Sequence, residues 1–513
     1  MRYLILLALS LLAETSLGQP DFGLNYYSDD VQDGYFLVDY AGSSHLLNNC
    51  GEVVHTWRHP TSTFFHSKLT ENGELLIFNS QTILTLDWNG SIVRRFDLNN
   101  QDFYFTYEVI AMPNGNFLAL GRKSWQGTGE RINVGLDINR PSAPIYDIVV
   151  EVDPENQKIV WQWEIKDHIF QNRDFRDPNY GELEDNVDRL EVSPVYPIRI
   201  EEFFMINGMD YNPKLDLIAL SIRKSSEVAF IDHSTTTEEA KGNKGGTFDK
   251  GGRILYRWGN PQNYGQGTQA YQQLALQHNP NWIEYGPYKD QLIVYDNING
   301  DTALAYSEVL IIDPPMEGGR FSKDSSQAFG PKIPSWAYRD THSRPPFFSY
   351  FTSGAEVMPN GNVYITEGLY GRLFEVTPQG RIVWQYTIPF ASYTFRTEKY
   401  PNDYPAFVNR TFEPLGHLED PPSLVECMST SNKDSYADKC IDIQANGTDP
   451  ILFNKATHPI AVTMTSANGS GREVTLAPGQ SFRFGDHYSP GLIILHMQSL
   501  NSCPAQTIKV LLH

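Results

Sequence analysis

The stretch Pro359-Asn360-Gly361-Asn362-Val363-Tyr364-Ile365-Thr366 repeats the pattern of Pro113-Asn114-Gly115-Asn116-Phe117-Leu118-Ala119-Leu120 and of Glu71-Asn72-Gly73-Glu74-Leu75-Leu76-Ile77-Phe78. In each copy a tight turn leads into an apolar strand, and Asn-Gly supplies the positive φ angles of a hairpin. Residues 213–220 and 289–295 are further copies without Asn-Gly. A second pattern follows each copy, two β-rich segments around another turn. It occurs at residues 83–93, at 146–153 with 159–163, at 227–232 with 254–259, and at 372–376 with 382–386. Residues 35–38 and 52–57 add one more unit. Six units of four antiparallel strands predict an all-β chain folded as a six-bladed β-propeller, an arrangement that protects strand edges by radial repetition. Apolar spacing of the helical kind does not run between the strands, which argues against alternating β and α units. A flat sandwich is the alternative architecture.

Working outward, residues 19–395 form the expected propeller and residues 396–422 a proline-rich linker, with Pro401, Pro405, Pro414, Pro421 and Pro422. Residues 423–513 form a small cysteine-containing module, strand-like and predicted to be sandwich-like. Residues 1–18 read as a secretory signal, with Arg2 ahead of a short apolar run and Ser16-Leu17-Gly18 as the cleavage site. That run is too short to cross a bilayer, and no later segment has the roughly 20 apolar residues a spanning helix needs. Secretion without a membrane anchor is the expectation, in the periplasm if the source is bacterial. The sequons at Asn89, Asn409, Asn446 and Asn468 agree with that route as candidate glycosylation sites. Cys50, Cys427, Cys440 and Cys503 are an even set with three possible pairings. Easy closure of a short loop favours Cys427 with Cys440, leaving Cys50 with Cys503. A net charge of −21 argues against nucleic acid and anionic membrane surfaces as partners.

In a propeller, residues beside the repeated hairpins converge near the axis. Asn207, Arg223 and His278 stand at such positions. A neutral histidine acts as nucleophile or base, and an arginine fork clamps tetrahedral oxyanions while keeping its charge. An asparagine amide adds a neutral donor. The trio suits transfer of a sulfuryl or phosphoryl group through a histidine adduct. The plainer reading makes His278 a hydrogen-bonded strand-end residue and pairs Arg223 with a carboxylate. No motif calls for a metal or an organic cofactor. His55 and His59 have a zinc-like spacing but follow a strand pattern and meet Pro60. His66, His168, His233 and His342 read as surface or structural.

Residues 205–212, through Ser221-Ile222-Arg223, resemble the His-x-Asn…Ser-x-Arg signature of the secreted, nucleotide-independent aryl-sulfate sulfotransferases. Residues 231–240 with 255–261 resemble the same family. Gln277-His278 with Tyr295-Asp296-Asn297 is similar to its catalytic-histidine segment, and residues 353–362 with 371–376 to its last blade. The resemblance spans about residues 35–390. It implies a six-bladed propeller that moves sulfuryl from an aryl sulfate donor to a phenolic acceptor, with His278 as carrier and Arg223 and Asn207 holding the sulfuryl oxygens. Two family histidines are replaced. Met205 stands two residues before Asn207, and Phe105-Thr106-Tyr107-Glu108 replaces a histidine-rich turn. Thr106, Tyr107 and Met205 are therefore candidate substrate-binding residues. The departures leave a rival reading, a catalytically impaired propeller that binds an extracellular or matrix ligand, and a third in which sulfate is hydrolysed.

Overall fold

The computed structural model describes residues 22–420 with breaks at 61–64, 100, 125–144, 177–178, 193–203, 300–304, 324–327, 341–346 and 390–392. It also describes single residues as far as 427 and, from 441 to 512, the strands. The signal segment, Cys440, Cys503, His342 and the Asn468 sequon lie outside the described residues.

Six antiparallel sheets, five of four strands and one of five, make the six blades of a propeller. Blade 2 runs Ser67–Leu69, Leu75–Phe78, Thr82–Leu86 and Ile92–Asp97; blade 3 runs Phe103–Ala111, Phe117–Ser124, Ile145–Asp153 and Lys158–Glu164. Blade 4 is Ile206–Asn212, Leu217–Ile222, Glu227–Asp232 and Tyr256–Trp258, and blade 5 is His278–Trp282, Leu292–Asp296, Glu308–Ile312 and Trp336–Tyr338. Blade 6 is Gly354–Val357, Val363–Glu367, Arg372–Val376 and Ile382–Thr387. The first strands of blades 3 and 4, of 4 and 5, and of 5 and 6 touch one another along the axis.

The repeated Asn-Gly turns join the innermost strand to the second, so the repeated apolar strand is second from the axis rather than innermost. Only the glycines take positive φ, at 82° for Gly73, 89° for Gly115 and 87° for Gly361. Each turn is therefore a type I turn closed by a left-handed glycine, not the turn with two positive φ angles. The second strands are buried on both faces, and Leu217–Ile222 is buried at every position.

Blade 1 closes the ring from both chain ends. Gly34–Tyr40, Ser43–Asn48 and Val53–Arg58 receive their inner strand from Glu398–Pro401, with Leu37 opposite Glu398. That strand falls within the stretch read as linker, so the ring extends to Pro401. Gly23–Tyr27 adds a fifth strand to the outer edge of blade 6. The disulfide expectation is overturned: Cys50 pairs with Cys427, across 377 residues, and fastens the segment after the ring to blade 1. The short-loop argument failed because proximity in the fold, not along the chain, brings these two sulfurs together. Residues 441–512 form one sheet of three strands and another of four.

A regular seam holds the outer edges together. The indole N–H of an outer-strand tryptophan donates to a backbone carbonyl between the third and fourth strands of the next blade. Trp57 reaches Asp87 at 3.0 Å, Trp163 reaches Gly252 at 2.8 Å and Trp258 reaches Pro331 at 2.8 Å. Trp336 reaches Pro378 and Trp384 reaches Asn49, both at 2.7 Å. Between blades 2 and 3 the outer-strand Arg94 donates instead to the Gly115 carbonyl at 3.0 Å, in the turn between the first and second strands of blade 3.

Candidate active site

Toward one mouth of the axis, non-glycine residues in left-handed backbone stand just before or within the inner strands. They are Tyr107 (φ 46°), Met205 (56°), Leu276 (57°), Asn279 (53°), Thr352 (58°) and Ser353 (83°). Such conformations cost about 1–3 kcal/mol each and persist where surrounding structure enforces them. Two of them, Tyr107 and Asn279, lie inside β-bulges, and Met205, Leu276, Thr352 and Ser353 stand just before the strands. The pairing shifts between Ala119 and Gly121 in blade 3, Ile206 and Gly208 in blade 4, and His278 and Asn281 in blade 5.

His278 begins the inner strand of blade 5 and is 5% exposed. Its Nδ1 lies 2.6 Å from Asn297 Oδ1. Asn297 donates its own amide hydrogens to the carbonyls of Ser349 (2.6 Å) and Thr352 (3.1 Å). Those bonds fix the amide orientation, so Oδ1 faces the ring as an acceptor and Nδ1 must carry the proton. The lone pair is thus on Nε2, where the Thr352 N–H reaches it at 3.2 Å. Burial, then the Asn297 contact working against it and the Arg223 and Arg396 charges reinforcing it, sets the His278 pKa at about 3. The imidazole is neutral at physiological pH.

Arg223 ends the second strand of blade 4 and opens a turn, Arg223–Ser225. Its guanidinium approaches Met205 Sδ at 3.9 Å and donates to the Tyr350 carbonyl at 3.4 Å. Asn207 is 1% exposed and donates to the Gln277 carbonyl at 2.8 Å, where Ser221 Oγ also donates at 3.1 Å. The two hold the peptide just before His278. The structure thus brings His278, Arg223, Asn207 and Met205 to blades 4 and 5 at the same mouth. Thr106 is buried, its hydroxyl without a hydrogen-bond partner among the described residues. Tyr107 turns its ring toward Phe395, 6.1 Å away and nearly parallel.

Sequence reasoning passed over several neighbours. His66 is not at the surface: it is 4% exposed, stacks on Phe395 at 5.1 Å, and lies 3.4 Å from Arg396. Arg396 pairs with Glu108 at 2.7 Å, and Lys68 bridges Glu108 (2.9 Å) and Glu398 (3.2 Å). Burial pushes Asp210 up to about 7, against the Trp282 N–H that binds it. Burial, then Glu398, holds Glu356 well above the usual carboxylate range. A charged axial layer therefore adjoins the site. Gly354 marks the join, since a Cβ there would come within 2.4 Å of Asn279 Oδ1 and 2.5 Å of Arg396 Cδ. His55 and His59 are engaged separately, with the Trp88 carbonyl and Ser44 Oγ. Among the described residues no three His, Cys, Asp or Glu side chains gather as a metal site.

The family model of arylsulfotransferase (ASST) matches residues 24–387. No curated protein matches the chain in sequence. Among solved structures, a protein of unknown function from Bacteroides caccae is similar at 11% identity, with 72% of this chain and 99% of that one covered and a TM-score of 0.38. The β-propeller domain of Myceliophteria thermophila Cps50 (Swd1) is similar at 11% identity, covering 71% and 85%, with a TM-score of 0.37. Virginiamycin B lyase from Staphylococcus aureus is similar at 12% identity, covering 72% and 90%, with a TM-score of 0.33.

Proposed function

From the premise that this chain belongs to the arylsulfotransferase family, we propose that it carries sulfuryl from an aryl sulfate to a phenol on His278. The observation behind this reading is the His278 tautomer: Nδ1 is tied to Asn297, which leaves the Nε2 lone pair at the mouth beside a permanent cation. In the first half-reaction Nε2 attacks sulfur, the sulfur–oxygen bond to the aryl group breaks, and the phenolate leaves and takes up a proton. In the second, an acceptor phenol gives up a proton and attacks sulfur, the nitrogen–sulfur bond breaks, and the neutral imidazole returns. Arg223 is the clamp for the sulfuryl oxygens, with the second amide hydrogen of Asn207. The Thr352 N–H, released from Nε2 on attack, is a third donor. Donors of this kind are each worth about 10²–10³ in rate.

The family match does not favour a propeller that only binds. Secretion belongs to the proposal too; the sequons at Asn89 and Asn409 lie on exposed turns, where glycan attachment is sterically open. The test is intact-mass and peptide mapping after brief incubation with a chromogenic aryl sulfate. A sulfuryl adduct on His278, discharged by added phenol, is expected. Phenol release with no adduct on any histidine would overturn the carrier role.

A further inference from the structure

Blades 3 and 4 end their second strands alike. Leu118-Ala119-Leu120-Gly121 leads into Arg122-Lys123-Ser124, and Leu220-Ser221-Ile222 into Arg223-Lys224-Ser225. The likeness extends across the ladder. Each arginine lies against the left-handed residue of its own inner strand, Arg223 against Met205 and Arg122 against Tyr107. Blade 3 therefore carries a second copy of the cation-bearing corner, with a phenol where blade 4 has a thioether.

The phenol is closely held. The Arg122 guanidinium carbon sits 5.0 Å from the Tyr107 ring centre, and Nη2 is 3.4 Å from the hydroxyl. Arg122 is 6% exposed and anchored through Nε to Asp147 at 3.3 Å. From Tyr107 the contacts lead to the reacting nitrogen. Its ring stacks on Phe395, whose carbonyl accepts from Ser353 N–H at 2.9 Å, and Ser353 follows the Thr352 that meets His278 Nε2.

Resting on the sulfotransfer reading, the half-reactions above need a proton carrier, because the first phenolate takes a proton before the acceptor phenol gives one up. His278 cannot serve: Nε2 bears the sulfuryl group and Nδ1–H is held by Asn297. We infer that Tyr107 is the proton-carrying catalytic residue and that Arg122 is its positioning residue. Tyr107 donates its hydroxyl proton to the departing aryl oxygen as the sulfur–oxygen bond breaks. The tyrosinate, faced by Arg122, then takes the proton of the acceptor phenol as that oxygen attacks sulfur. A phenolic carrier suits a phenolic leaving group because the two are oxygen acids of one kind, so transfer is close to balanced. The substrate class follows. Unactivated phenyl sulfates, whose leaving groups need a proton, depend on this corner, whereas nitrophenyl sulfates depart readily as anions.

The test compares single-turnover desulfation of phenyl sulfate and 4-nitrophenyl sulfate by the full chain, as wild type, Tyr107→Phe, Arg122→Gln, Arg122→Lys and the Tyr107→Phe/Arg122→Gln double variant. Tyr107→Phe is expected to lose about 10²–10⁴-fold with phenyl sulfate and at least about tenfold less with the nitrophenyl donor. Arg122→Gln should show the same donor selectivity, recovered in part by Arg122→Lys, and should add little in the double variant. Equal losses on both donors, or additive losses in the double variant, overturn the inference. A wild type that transfers from neither donor fails differently, because it removes the sulfotransfer reading itself.

Discussion

The outer seam and the axial mouth of the propeller are built from opposite materials. At the seam, large apolar side chains are buried and their single polar atom is answered by a carbonyl of the next blade. Trp384 is 0% exposed and bonded to Asn49. At the mouth, left-handed residues, a buried imidazole and charged groups are gathered where an unstrained apolar contact would serve stability better. The seam therefore carries stability while the mouth gathers strain and charge, a division seen when local strain is held in place by a rigid frame.

That division can be broken by substitutions that move one property alone. His278→Ala should cut sulfuryl transfer by about 10³-fold or more while the melting temperature stays within a few degrees, read by stopped assay and calorimetry; a collapsed melting temperature would make His278 structural. Next in size, Trp384→Ala should cost about 3–5 kcal/mol in denaturant unfolding, with turnover per folded molecule kept. Trp384→Phe, which keeps a ring and loses the N–H, should cost about 1–2 kcal/mol. The junction between blades 2 and 3 sharpens the contrast. Arg94 is 23% exposed on its side chain and also paired with Glu74, so Arg94→Ala should cost less than Trp384→Ala and leave that junction the earliest to exchange its amide hydrogens.

The smallest effects concern pH. The His278 pKa near 3 lies below the ordinary 6.5, so the acid limb of the kcat/KM profile should fall well under pH 6.5. Its stabilising share is fully present above 6.5 and is lost as pH drops through about 3. Glu356 has the opposite sign: its raised pKa favours the folded state at low pH, and that share is lost as pH rises from 4.5 through the raised value. Glu356→Gln should accordingly flatten the decline of melting temperature on the alkaline side.

The same contrast decides what could be read beforehand. The repeated Asn-Gly turns and the paired β-rich segments after them announce themselves by residue type, so the propeller was legible from them. Glu398–Pro401 was not, because an axial strand carrying Glu398 and Lys399 lacks the apolar pattern and its partner lies some 360 residues away along the chain. His278 and Arg223 were legible through a family signature. Asn297 and Thr352 act through an amide orientation and a backbone N–H that side-chain identity does not encode. His66 read only as surface or structural because nothing in its local sequence marks the axis.

The two-ended closure of blade 1 sets a clock on biosynthesis. Gly34–Tyr40 leaves the ribosome early, yet its inner neighbour Glu398–Pro401 is the last strand of the ring to be made. At 5–20 residues per second the interval is roughly 20–70 s. Throughout it, the nascent chain displays an unpaired strand edge in its first blade. A ring so arranged closes only after its last strand has been made, and its early edge is the surface a chaperone has to guard.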